Sequence, residues 1–235
     1  MNRPYIICHM TTSLDGKVTG DFLSMPSCEA ATEVYYEQNR GYHADAFACG
    51  RITMEGSFTG GWYPDLTAYA GVKIPREDYV ADPAARFFAV AFDRHGRLGW
   101  QGPRIVDEDP GYGDAHIVEV LCQDTPDAYL AYLREIGVSY LFAGETELDL
   151  PLALAKLHDL FGIRKLLLEG GSILNGAFQR ADVIDELSLV VAPVVAAAED
   201  KPLFMDSVMS EFTLSQVQTW EQGVIWLHYR RNKEE

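Results

Sequence analysis

The 235-residue chain contains no apolar run long enough to span a bilayer. Its N-terminal apolar stretch, Tyr5 to Met10, is too short for the hydrophobic core of a secretory signal, so a membrane partner is excluded and the cytoplasm is the expected location. Positive charge is scarce. Nineteen Lys and Arg stand against 35 Asp and Glu, giving −16, and no basic stripe marks a nucleic-acid surface. Cysteine is sparse and scattered: Cys8, Cys28, Cys49 and Cys122 form neither a C-x-x-C pair nor a metal-ligand spacing, and Cys8 and Cys49 lie in apolar runs where reduced thiols pack well. The six histidines show no H-E-x-x-H or comparable pattern, so no metal is expected. The chain lacks a G-x-S-x-G elbow, a G-x-G-x-x-G fingerprint and a Walker motif, which removes the usual hydrolase, Rossmann and kinase assignments. With no internal repeat, low-complexity tract or linker either, one domain over residues 1–235 is expected.

What the chain does contain is a 48% hydrophobic content, enough for a full core, arranged as strand-like runs alternating with helical patterns. Strands are expected over Pro4–Met10, Asp45–Gly50, Arg86–Phe92, His116–Leu121, Val138–Phe142 and Arg164–Glu169. Helices fit Ser27–Tyr42, the stretch opened by Thr125-Pro126-Asp127 as an N-cap with proline at the first helical position and closed by Gly137, and the stretch from the Asp149 cap to Gly162. A further helix fits Ser172–Arg180. Glu186–Val195, Phe212–Thr219 and Val224–Arg230 then read as strands with no helix between the last two, so a mostly parallel α/β sheet flanked by helices should finish in an antiparallel hairpin. Thr59–Ala85 fits least well, carrying Gly60-Gly61 and the aromatics Trp62, Tyr63, Tyr69 and Tyr79 without periodicity; loops of this length are usually functional or mobile.

A charge of −16 opposes long-range attraction of an anionic cofactor, so any phosphate site must be local and built from a few donors. Lys165-Leu-Leu-Leu-Glu169-Gly170-Gly171-Ser172 is a buried strand ending in a carboxylate and two glycines directly before a helix. Glycines admit a pyrophosphate close to the backbone, and the N–H groups of the helix start point at it; a plain strand-to-helix turn capped by Ser172 is the other reading. At the end of the second strand, Gly50 permits a sharp exit, Thr53 can cap a helix, and Arg51 can fork onto phosphate oxygens or stand as a surface arginine. The first strand ends in Thr11-Thr12-Ser13-Leu14-Asp15-Gly16-Lys17, a turn carrying hydroxyls, a carboxylate and an ammonium group. These strand ends would converge at one sheet edge if the strands are parallel, where open α/β sheets bind ligands.

Ser13-Leu14-Asp15-Gly16-Lys17, the Gly50-Arg51-x-Thr53 exit, and Leu168-Glu169-Gly170-Gly171-Ser172-x-Leu174-x-x-Ala177-Phe178, with Asp185-Glu186-Leu187 and Pro193 beyond, resemble the reductase domain of the riboflavin-biosynthesis deaminase-reductase family. Gly50-Arg51-x-Thr53 is also similar to the element by which dihydrofolate reductases hold the NADPH 2′-phosphate. The resemblance implies a dihydrofolate-reductase-like fold, a homodimer, NADPH as cofactor, and reduction of a small heterocyclic or imine-like compound similar to the family's phosphoribosylaminouracil. It puts Arg51 near the 2′-phosphate and Thr11, Gly50 and Thr53 beside the cofactor. Gly170 and the stretch from Gly171 through Ser172, Ile173 and Leu174 to Ala177 follow its phosphates and ribose, and Glu169 faces the substrate. The chain departs from the family where Met54-Glu55-Gly56-Ser57 replaces a short Asp-Asp-Pro segment, and no deaminase-like zinc motif precedes the reductase part.

Hydride transfer needs few protein groups, because the nicotinamide carries the hydride and the protein aligns it and relays a proton. Asp15 and Glu169 are the candidates for orientation or proton relay, although Asp15 also suits a turn that caps its own backbone. Lys17, Trp62 and Tyr63 are the candidate substrate contacts, with the aromatics either stacking on a flat ring or fastening their loop. The reading from a different class is a nucleotide-binding protein that keeps the cofactor pocket without turnover.

Overall fold

The computed structural model describes residues 2–232; Met1 and residues 233–235 of the expected domain lie outside the described residues. The chain forms two compact units. One, the middle unit, is Ala44–Leu166 with residues 2–4; the other, the terminal unit, is Tyr5–His43 with residues 167–232.

In the middle unit, β2 (Ala46–Gly50), β3 (Phe88–Phe92), β4 (His116–Leu121) and β5 (Ser139–Phe142) lie in the order β5-β4-β3-β2, every pair parallel. All but Gly50 of their residues are buried, as continuous apolar runs require when both faces of a parallel sheet are covered. Helix α2 (Arg51–Met54) lies between β2 and β3, α3 (Asp127–Glu135) between β4 and β5, and α4 (Leu150–Phe161) follows β5. The α4 signals act as expected, with the Leu152 N–H donating 2.9 Å to Asp149 Oδ1 and Gly162 ending the helix in the left-handed region. At α3 the expectation needs correction. Pro126 is extended and occupies the cap position, so the helix starts at Asp127, while the Thr125 hydroxyl donates instead to the Arg94 carbonyl.

The stretch expected to be irregular, 59–85, contains one short 3₁₀ turn at Thr67–Tyr69 and is held by side chains. Tyr63 stacks on Tyr129 and donates to the Gly96 carbonyl, Arg134 lies 4.7 Å over the Tyr79 ring, and Asp78 pairs with Lys156 at 2.9 Å. Aromatic bodies with polar tips suit this task, since each buries a ring and still satisfies its donor.

In the terminal unit, β1 (Tyr5–Thr12) pairs in parallel with β7 (Glu186–Val191), β9 (Ile225–Arg231) pairs antiparallel with β7, and β8 (Phe212–Thr219) is antiparallel to β9 at the edge. The expected C-terminal hairpin is present. The short strand β6 (Lys165–Leu168) carries the chain from the middle unit into the terminal one and leads to α5 (Ser172–Arg180). The strand expected to run to Val195 stops at Val191, because Pro193 has no N–H to continue the ladder and the Val194 carbonyl accepts from Leu14 instead. Helix α1 (Glu29–Gly41) covers a core of Phe22, Ala31, Val34, Val190, Val224 and Trp226.

A polar chain is threaded through that core. Trp226 Nε1 donates to Ser188 Oγ, which lies 2.9 Å from His9 Nδ1, and His9 Nε2 lies 3.0 Å from the Tyr35 carbonyl oxygen. A carbonyl can only accept, so Nε2 carries the proton and Nδ1 accepts from Ser188; the ring is neutral, and burial lowers its pKa to about 4.

Candidate active site

The β1 exit and the glycine pair belong to the terminal unit and come together there. A Cβ built on Gly170 would stand 3.2 Å from Met10 Cε, so the glycine lies directly against the end of β1. Thr11 follows on that strand, half-buried, in register with Val190. Beyond it, Ser13 donates 2.7 Å to Asp15 Oδ1, and that oxygen also accepts from the Ala196 N–H at 3.0 Å. These two bonds, the Ser13 bond first, hold the Asp15 carboxyl below the usual carboxylate range. Lys17 points its ammonium at the carbonyls of Asp200 and Ala198, 2.9 and 3.4 Å away.

Those partners belong to a segment, residues 194–205, that acts as a strap. It bonds to the β1 exit through Leu14 N–H to Val194, Val18 N–H to Lys201 and Leu203 N–H to the Gly16 carbonyl. It bonds to α5 through the Ser172 hydroxyl on the Pro202 carbonyl, Asn175 Nδ2 on Leu203 at 3.2 Å, and Met205 N–H on the Ser172 carbonyl at 3.0 Å. Ser172 is therefore the first helical residue, with its side chain turned to the strap rather than capping. Gly171 occupies the cap position without a side chain, and the Asn175 N–H makes the first intrahelical bond, to Gly171. The leading amides of α5, among them those of Ile173 and Leu174, have no acceptor within the helix, which is the donor set an anion needs. Ile173 is 64% exposed, so this helix start is open to solvent.

Glu169 is buried, and Asn39 Nδ2 from α1 donates to its Oε1 at 2.6 Å. Sequence reasoning missed Asn39, which carries no motif and sits 130 residues away. Asn175 lies within the stretch that the resemblance lays along the cofactor. Its Oδ1 is buried without a hydrogen-bond partner although its Nδ2 is engaged, and it lies against Gly170.

The other candidates lie in the middle unit. Gly50 is the cap of α2 and Arg51 its first residue, so Thr53, expected to cap, stands inside the helix. Arg51 Nη1 pairs with Glu55 Oε2 at 2.7 Å, one turn on. Asp93, just past β3, is 2% exposed and accepts from the Leu98 N–H at 2.8 Å; burial raises its pKa, against the opposing pull of the Arg97 and Leu98 amides and then of the Arg51 charge. Beside it, Glu119 in β4 is fully buried, accepts from Trp100 Nε1, and is pushed well above the usual carboxylate range by burial and by Asp93. Neither acid announces itself in sequence, since both sit in or beside strand patterns. Tyr63 is an anchor, as described above, and Trp62 is 44% exposed with its carbonyl packed against Gly99.

The family model of the RibD C-terminal domain matches residues 4–226, a span that runs through both units. Two curated relatives are each named 2,5-diamino-6-ribosylamino-4(3H)-pyrimidinone 5′-phosphate reductase. The protein of Methanothermobacter thermautotrophicus is 26% identical, over 87% of this chain and 84% of its own length. That of Aquifex aeolicus is 29% identical, over 86% and 82%. Among solved structures, a pyrimidine reductase-like protein of Corynebacterium diphtheriae superposes with a TM-score of 0.70 at 19% identity, covering 98% of this chain and 93% of that one, which establishes a shared fold.

Proposed function

The chain belongs to the RibD C-terminal domain family, and from that premise we propose that it is an NADPH-dependent reductase of a ribosylaminopyrimidine 5′-phosphate. The observation that carries this function is the Glu169-Gly170-Gly171 turn, where a buried carboxylate oriented by Asn39 precedes a helix start without a side-chain cap. The substrate is refined by the relatives. Both are named for the diaminopyrimidinone, which still bears its 2-amino group, rather than for the uracil suggested by the resemblance.

Such a compound joins a ribose to an exocyclic nitrogen, and its ring-opened form is an imine. Reduction adds a hydride to the imine carbon and a proton to nitrogen, leaving an alkylamine. When bound, the nicotinamide supplies that hydride. The amides of Ile173 and Leu174, with Gly170, Gly171 and Ser172 around them, are assigned to cofactor phosphate, where they supply partial positive charge that the −16 chain otherwise lacks. Thr11 and Thr53 are assigned to flank the cofactor, Gly50 to give the close exit, and Arg51 to bear on the 2′-phosphate. Asp15 stays ionised because its acidity is enhanced by Ser13 and Ala196, so it orients rather than donates a proton. Proton relay is assigned to Glu169, whose burial strengthens its interaction with a charged nitrogen. Lys17, already anchored on carbonyls, and Trp62 are assigned to the substrate, while Tyr63 supports the Trp62 loop.

A homodimer through the edge strand β8 suits the exposed Leu214 and Val217 on an eight-residue strand with an open ladder. Among the described residues no helix is long and apolar enough to cross a membrane; we place the enzyme in the cytoplasm.

The test is to mix purified protein, NADPH and the diaminopyrimidinone phosphate, follow nicotinamide absorbance, and identify the product by mass spectrometry. Oxidation of NADPH with formation of the ribitylamino product is expected. Tight NADPH binding with no turnover on either the diamino or the uracil compound overturns the assignment in favour of a nucleotide-binding protein.

A further inference from the structure

The pairing of Arg51 introduces a competitor for the very phosphate it is assigned. Gly50 ends β2 and α2 begins at once, so Arg51 and Glu55 stand four residues apart on one helical face, the spacing at which side chains meet. Their ion pair is 2.7 Å long, with side chains 30% and 34% exposed. The guanidinium charge also bears on Asp93, whose carboxyl accepts from the Leu98 amide. The cation at the β2 exit is thus already paired with a carboxylate rather than standing open for an anion.

A phosphate monoester and a hydroxyl respond to that arrangement differently. The 2′-phosphate of NADPH carries close to two negative charges at neutral pH. To reach Arg51 it must displace Glu55 and then lie beside the carboxylate it displaced. The 2′-hydroxyl of NADH can donate to Glu55 while the ion pair stays intact, the same division of labour by which acidic residues select NADH and arginines NADPH in other nucleotide folds. We infer that Glu55 is a specificity-determining residue: it competes with the 2′-phosphate for Arg51 and so narrows the preference for NADPH over NADH. This rests on the nicotinamide cofactor assigned above.

The experiment is a fluorescence titration of wild type, Glu55→Gln and Arg51→Ala/Glu55→Gln with NADPH and with NADH, at two salt concentrations. Glu55→Gln keeps the length and hydrogen bonding of the side chain and removes its charge. The expected result is NADPH binding tightened about tenfold, close to the scale of one charge-assisted contact, with NADH unchanged or weakened. The gain should shrink at high salt and vanish when Arg51 is also replaced. An unchanged or lowered NADPH-to-NADH ratio in Glu55→Gln, with wild type binding normally, overturns the role of Glu55 and leaves the reductase assignment standing. Failure of wild type to bind either nucleotide overturns both. Melting curves accompany each variant, and Glu55→Ala is read by the same ratio should the glutamine variant fail to fold.

Discussion

Around the glycine pair of the terminal unit, apart from the Asn39–Glu169 and Ser13–Asp15 bonds, polar side chains end on main chain: Lys17, Ser172 and Asn175 all donate to carbonyls of the strap, and Asp15 also accepts from one of its amides. Around Gly50 in the middle unit they end largely on one another, Arg51 on Glu55, Trp100 on Glu119, Arg94 on Glu147. The first arrangement leaves bare backbone amides as the groups available to a ligand, and their positions depend on the whole segment being in place. The second leaves charges whose strength is set pairwise. Disturbing the first region should therefore act as a switch, and disturbing the second as a dial.

The sharpest way to break the comparison is at two glycines. A Cβ on Gly176 would stand 1.9 Å from the Met205 carbonyl oxygen, which is backbone and cannot step aside alone. Gly176→Ala should push the strap off α5, cost about 3 kcal/mol in chemical denaturation, and abolish cofactor binding in fluorescence titration. Retained binding at normal affinity would show that the strap does not set the helix start. Next in size is an acid effect confined to the terminal unit. His9 is held neutral at a pKa of about 4 against an ordinary 6.5, so between those values the unfolded chain binds the extra proton and stability falls as pH falls. The loss should total roughly 3 kcal/mol across that window, and His9→Gln should flatten the dependence of Tm on pH there.

In the middle unit the matching glycine is Gly99, where a Cβ would stand 1.8 Å from the Trp62 carbonyl oxygen. Gly99→Ala should lift the 60s loop and destabilise by about 2 kcal/mol, raising KM for the pyrimidine more than the Kd for NADPH. Equal changes in both would place the loop outside the substrate pocket. The smallest effect is expected from Glu119→Gln. Because the folded protein keeps this carboxyl protonated above the range where the unfolded chain releases the proton, wild-type stability declines as pH rises through that interval. The glutamine variant keeps an oxygen for Trp100 and should lose the decline, measured by denaturation at mildly acidic and mildly alkaline pH.

Much of the architecture was legible because its signals are local. His116–Leu121, Ser172–Arg180 and Phe212–Thr219 occupy the residues expected, and Asp149 and Gly162 bound their helix as read. These rest on periodicity and on caps that act within one turn. The Arg51–Glu55 pair was legible in principle by its four-residue spacing, yet resemblance drew attention to the arginine alone.

By itself, then, the sequence determined the strand and helix succession, the family, and the glycine-helix junction at 170–174. Tertiary structure alone decided that Asn39 orients Glu169 across 130 residues, that Asp15 answers to Ala196 across 181, and that Lys17 is tied to Asp200 across 183. Contacts at such separations leave no periodic trace. They exist only once the parallel β1–β7 pairing has closed the loop between them, and their chemistry depends on which carbonyls and amides that closure presents.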